Sequence, residues 1–164
     1  MIPKNFLMKL IILEKVIISD TSCLITLSRI YRIEILKQLY SEVQITSEVE
    51  KEFGGELPDW VVIRDPNNED IIKFLKLNLD DGEATSIALA YENKNSILII
   101  DERKGRKMAI SLGLHVIGLL GIILRAKNEN YIHSVAEILE EIEKAGFRVS
   151  KSLKDTLLKK ANEI

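Results

Sequence analysis

The sequence predicts an α/β fold, a three-layer α/β/α sandwich whose central sheet has four or five mostly parallel strands. Three observations predict it. Short apolar, β-branched runs alternate with segments of helical periodicity, the pattern of a parallel sheet covered on both faces. Two of those runs, 16–19 and 96–100, stop at a carboxylate, Asp20 and Asp101. No internal repeat, low-complexity tract or linker interrupts residues 1–164, so one domain is expected, with 1–14 as an amino-terminal extension and 128–164 as carboxy-terminal helices.

Composition narrows the class. At 46% apolar and 29% charged, the chain can bury a full core beneath a charged surface. A net charge of −2 provides no global basic field, so any contact with nucleic acid has to be local. The single cysteine, Cys23, excludes an intramolecular disulfide and suits a reducing, cytoplasmic compartment. The apolar stretch 1–13 is broken by Lys9 and has no small-residue cleavage site, so it does not read as a signal peptide. No apolar run has the length of a membrane span.

In order, the first strand ends at Asp20, and Thr21-Ser22 open a helix carrying Leu24, Ile25 and Leu27. A second helix is expected over 33–40 and a short strand over 42–46. Ser47 and Glu50 have the spacing of a capping box, and Gly54-Gly55 stop the helix they begin. The run 60–63 suggests an edge strand, and Asn68 a cap for the next helix. Acids Asp80, Asp81 and Glu83 crowd the first turn of a helix over 84–91, where they suit the helix dipole. A basic helix over 103–112 follows Asp101 and ends at Gly113. Residues 115–117 read as a final core strand. Helices are expected over 118–127, 134–144 and 153–162, the last capped by Ser150.

Neighbouring parallel strands bring their carboxyl ends to one edge of the sheet, and following helices begin there. Asp20 and Asp101 at strand ends, Glu83 near a helix start and one of Glu48 or Glu52 would therefore approach one another. Carboxylates gathered in one place repel, which raises their pKa values. A hard cation relieves that repulsion, and oxygen-only ligands select Mg²⁺ or Mn²⁺ over zinc. Such an ion holds phosphate and acidifies water for attack on phosphorus. The competing explanation for each acid is structural: Asp20 and Asp101 as helix N-caps, Glu83 as a dipole partner, Glu48 and Glu52 as a solvated face. Arg103, Lys104, Arg106 and Lys107 form a basic cluster, read as phosphate attraction or as a solvated helix face, with Arg103 and Arg106 the substrate-facing candidates. Cys23 is expected in the core, His115 and His133 in structural positions, and Tyr31, Tyr40, Trp60 and Phe74 in core or interface.

Four motifs occur in order: Asp20-Thr21-Ser22 after a strand, Val49-Glu50-Lys51-Glu52-Phe53, Gly82-Glu83-Ala84 leading into Ile87-Ala88-Leu89-Ala90, and Ile100-Asp101-Glu102-Arg103-Lys104-Gly105-Arg106. Together they resemble the PIN-domain family of small prokaryotic proteins over about 16–127. The resemblance implies a Mg²⁺- or Mn²⁺-dependent endoribonuclease, many relatives being the VapC-type toxins of VapBC toxin–antitoxin pairs. It implies Asp20, Glu52, Glu83 and Asp101 as metal-binding acids, with Ser22 supporting Asp20 and Glu102 as a substitute for Asp101. A glutamate stands at 83 where many PIN proteins carry aspartate. Implied partners are RNA, a cognate antitoxin and a second copy in a homodimer. The alternative is a non-catalytic PIN-like module that binds RNA or protein. A haloacid dehalogenase-like phosphatase would need a second aspartate at 22, where Ser22 stands. A receiver domain would need paired acids after the first strand and a lysine after the last, and neither is present.

Overall fold

The computed structural model describes residues 1–164, the side chain of Leu13 excepted. The chain runs α1 (Lys4–Leu13), β1 (Val16–Ser19), α2 (Thr21–Arg29), α3 (Glu34–Tyr40), β2 (Val43–Ile45) and α4 (Ser47–Phe53). It continues through β3 (Val61–Ile63), α5 (Glu69–Lys76), α6 (Asp81–Glu92), β4 (Ser96–Ile99) and α7 (Arg103–Ser111). The final elements are β5 (His115–Ile117), α8 (Leu119–Asn128), α9 (Val135–Lys144) and α10 (Lys151–Lys160).

The strands form one parallel sheet in the order β3-β2-β1-β4-β5. Side chains alternate between its faces, as the pleat requires. Ile17 and Ile99 enter one apolar layer with Leu24 of α2, Leu36 of α3, Ile122 of α8 and Leu139 of α9. Ile18, Leu98 and Ile100 enter the other with Leu75 of α5, Ile87 of α6 and Ala109 of α7. The three layers follow from that division. The small residues of α6 let it lie close against the sheet: Ala84, Ala88 and Ala90 are all fully buried.

Most helix ends match their sequence signals. Asn68 Oδ1 accepts from Ile71 N–H, and Ser150 Oγ accepts from Leu153 N–H, each capping its helix. Gly54 ends α4 in the left-handed region at φ +70°. The cap of α4 departs from expectation. It is Thr46, whose Oγ1 accepts from Val49 N–H, while Ser47 is the first helical residue and binds Asp65 through both its N–H and its hydroxyl. No reciprocal box forms, because the residue three beyond Thr46 is Val49. The run 115–117 is also an edge strand and not a core one, with His115 exposed. The amino-terminal extension is helical. It is tied to the body by Ile12, which packs on the core, and by Lys9, whose Nζ donates to Tyr131 Oη at 2.9 Å.

Candidate active site

The strand order makes β1 a switch point. From β1 the chain fills one side of the sheet through β2 and β3, then returns to fill the other through β4 and β5. A crevice opens beyond the carboxyl ends of β1 and β4, the place where α/β folds bind ligands. A pocket of about 300 Å³ occupies it, lined by Asp20, Thr21, Ser22, Ile25, Glu52, Asp80, Glu83 and Glu102.

Asp20 follows β1, its N–H donating to Ile99 O at 3.0 Å. It stands at the N-cap position of α2, yet its side chain makes no capping hydrogen bond. The structural explanation for this acid is therefore not realised. Asp20 is 2% exposed, and its carboxylate receives only a long 3.4 Å hydrogen bond from Ser22 Oγ. Burial raises its pKa to about 8, and the neighbouring Asp101 and Glu83 push the same way, against the weaker pull of Ser22. Glu83, in the first turn of α6, is 8% exposed, and its pKa is pushed to about 7 by desolvation, then by Asp80 and Glu102.

The other lining acids each hold backbone. Asp80 caps α6 by accepting from Glu83 N–H at 2.8 Å. Glu102 caps α7 by accepting from Gly105 N–H through Oε2 at 3.1 Å. Glu52 Oε1 accepts from Gly82 N–H at 2.9 Å, and Oε2 accepts from Thr21 Oγ1 at 2.5 Å. Glu52 thereby braces α4 against the starts of α2 and α6. The contact explains Gly82: a Cβ there would lie 2.4 Å from Glu52 Oε2. Glu48 is not in the pocket and pairs with Lys51 on the surface.

Asp101 takes a different place. Its Oδ1 accepts from Leu119 N–H at 2.9 Å, at the start of α8. It lines a neighbouring cleft of about 380 Å³ with Arg106, Gly118 and Leu153. Its Oδ2 is buried without a hydrogen-bond partner. Burial raises the Asp101 pKa, opposed by the Leu119 amide and then by Arg106. Arg106 is turned inward, its Nη1 donating to Ile100 O at 2.9 Å. Arg103 and Lys104 are exposed. Of the aromatics, Tyr40 is core and Trp60 packs against it, while Tyr31 and Phe74 are exposed.

Sequence reasoning passed over the pocket roles of Thr21, Asp80 and Gly82. The signal for Gly82 lay in its place immediately before Glu83, where a backbone N–H has to meet an acid.

The donor set suits a hard divalent cation. All five lining acids offer oxygen, and among the described residues none of them is paired with a lysine, arginine or histidine. Two buried carboxylates with no positive partner are an uncompensated cost that such an ion removes. The acids surround an open pocket; among the described residues no three acidic, cysteine or histidine side chains form a closed metal cage.

This α/β/α sandwich, with an acid-lined crevice at its switch point, is the architecture of a PIN-like nuclease fold. A family model described as DUF3368, PIN domain, matches residues 16–163, and the chain belongs to the PIN-domain family. No curated protein was found to match it. PIN domains are in general nucleases and typically bind divalent cations. Among the described residues no helix is long and apolar enough to cross a membrane.

Proposed function

We propose that this protein is a Mg²⁺- or Mn²⁺-dependent endoribonuclease. One observation carries the reading: Asp20, buried at the switch point, spends its carboxylate on no cap and no cation of the protein. Asp20 and Glu83 would hold the ion, together with an acid that follows β4. Bound there, it would supply Lewis-acid chemistry toward a phosphodiester and a more acidic water.

The chain's own residues do the rest. Ser22 orients Asp20 through its hydroxyl. Glu52 fixes the spacing between the starts of α2 and α6, and with it the spacing between Asp20 and Glu83. Burial raises the Asp20 pKa to about 8, so a cation held there would be bound in competition with a proton. Arg103, exposed at the start of α7, would attract a phosphate of the RNA backbone. In the cell the protein would act as a VapC-type toxin, homodimeric and restrained by an antitoxin. That biological role is supported by the family resemblance alone.

The test is cleavage of single-stranded RNA with Mg²⁺ or Mn²⁺ by wild type and by Asp20→Asn. Wild type should cut and the variant should not. Equal cleavage by both, or none by wild type at millimolar metal, removes the proposal and favours a binding module.

A further inference from the structure

The two acids after β4 point to different faces of the sheet, and the register says why. Ile18 pairs with Leu98 and Ser19 with Ile99, so Asp20 is matched by Ile100, not by Asp101. Ile18, Leu98 and Ile100 share the apolar layer beneath α6 and α7. Continuing the alternation past Ile100 sends Asp101 to the opposite face, toward α8, and Glu102 back to the face of Asp20 and Glu83. The hydrogen bonds and pockets agree with this parity. Asp101 holds Leu119 N–H and lines the neighbouring cleft, while Glu102 lines the acid pocket; both stay close to the site, Glu102 raising the pKa of Glu83 and Asp101 that of Asp20.

We propose that Glu102 supplies the fourth acid of the pocket, and that Asp101 is a positioning residue that clasps α8 to the end of β4, beside Arg106. The clasp has three parts side by side. Asp101 Oδ1 accepts from Leu119 N–H, Arg106 Nη1 donates to Ile100 O, and Gly118 leaves room for both. A Cβ on Gly118 would lie 2.6 Å from Asp101 Oδ1 and 3.1 Å from Arg106 Nη1. Gly118 has φ −103°, an ordinary value, so this close approach is what its missing side chain serves. Glu102 uses only Oε2 on the Gly105 amide, which leaves Oε1 to the pocket. Asp101 acts on the site indirectly, by fixing where the chain leaves β4 and so where Glu102 points.

This assignment rests on the metal-dependent reading, and its test separates the two. Mn²⁺ binding is measured by calorimetry, and the melting temperature in EDTA, for wild type, Glu102→Gln, Asp101→Asn and Asp101→Ala. Glu102→Gln should weaken Mn²⁺ by about tenfold or more, since ligand charge sets affinity in such sites. Its metal-free melting temperature should not fall, because the amide oxygen still caps α7. Asp101→Asn should keep Mn²⁺ affinity within about threefold of wild type. Asp101→Ala should melt several degrees lower in EDTA than Asp101→Asn, whose Oδ1 restores the bond to Leu119. A tenfold loss of Mn²⁺ affinity in Asp101→Asn, or unchanged affinity in Glu102→Gln, overturns the assignment while leaving the metal site standing. A wild type that binds no Mn²⁺ overturns the metal reading and the assignment together.

Discussion

Strands β1 and β4 look alike in sequence, each an apolar run that stops at an aspartate. In the structure their exits differ. The first delivers Asp20, 2% exposed, directly into the pocket with no capping duty. The second runs one residue further before its acid, so Asp101 turns to α8 and Glu102 faces the pocket. On the assignment proposed above, an acid at a strand end is not enough to mark a ligand. Its parity relative to the neighbouring strand decides which face receives it, and a shift of one residue moves it across the sheet.

The largest expected effect tests that contrast directly. Asp20→Asn should lower metal-dependent RNA cleavage by about a thousandfold, the scale of removing a charge from a reacting centre. Asp101→Asn should lower it by less than about tenfold, as for a supporting residue. The measurement is the initial rate on a labelled single-stranded RNA at saturating Mn²⁺. Comparable losses in the two variants would mean that the exits are equivalent after all.

The buried carboxylates make a second prediction, on stability. Folding raises the pKa of Asp20 to about 8 and of Glu83 to about 7, so the folded chain holds protons that the unfolded chain releases near pH 4. The sign follows: the contribution of these two groups to metal-free stability is full below about pH 4 and is lost as pH rises toward 8. Asp20→Asn should remove much of this slope and stabilise the metal-free protein at pH 8 by about 1–3 kcal/mol. Adding Mn²⁺ should stabilise wild type more at pH 8 than at pH 5, because the ion competes with protons. Melting curves from pH 4.5 to 8 in EDTA and in Mn²⁺ check both; a flat wild-type profile in EDTA would contradict the first. Asp101→Asn, by contrast, should change the slope less, since the Leu119 amide and Arg106 already oppose the rise at that site.

The sheet was legible because its physics is local. Alternation of β-branched runs with amphipathic helices requires layers, and Gly54 and Asn68 bounded their helices where capping chemistry demands. The shared location of Asp20 and Glu83 was legible for the same reason, as strand ends and helix starts collect at one edge, whereas Glu52 reaches the pocket from the last turn of α4. The division between Asp101 and Glu102 was not. It depends on the pairing of Ser19 with Ile99, a long-range register that no short motif encodes. The cap of α4 slipped by one residue on similar grounds: Thr46 is held in the interior by the hydroxyl of Thr85, 2.7 Å away and far along the chain. Glu52 lines the pocket, and its bracing of Gly82 and Thr21 needed coordinates.

Glycine substitutions offer a finer contrast between the two exits. Gly118→Ala should destabilise by about 1–2 kcal/mol, because the new methyl displaces a largely buried carboxylate from its amide partner. Gly82→Ala places its methyl closer, 2.4 Å from Glu52 Oε2, but the exposed Glu52 side chain can swing away. Its cost in stability should be below about 1 kcal/mol. Its larger consequence should be on cleavage, since the brace between α2 and α6 is lost. Chemical denaturation of both variants, read beside their cleavage rates, checks this pairing. A Gly82→Ala variant with full activity would show that the brace does not set the spacing of Asp20 and Glu83.

The smallest effect separates the two arginines of α7. Arg103 is exposed, with no hydrogen bond or ion pair among the described residues, so Arg103→Ala should change stability by less than about 0.5 kcal/mol. Arg106 holds Ile100 O from within the clasp, so Arg106→Ala should cost about 1 kcal/mol. Their effects on RNA should run the other way. If Arg103 meets a backbone phosphate, its loss weakens binding uniformly across sequences and reduces the salt slope of single-strand affinity by about 0.7. Removing the inward-turned Arg106 leaves that slope unchanged. Binding of RNA by catalytically silent Asp20→Asn protein, titrated across salt concentrations with and without each arginine, measures the slopes. An unchanged slope in the Arg103→Ala background would place the RNA on another side of the pocket, away from the start of α7.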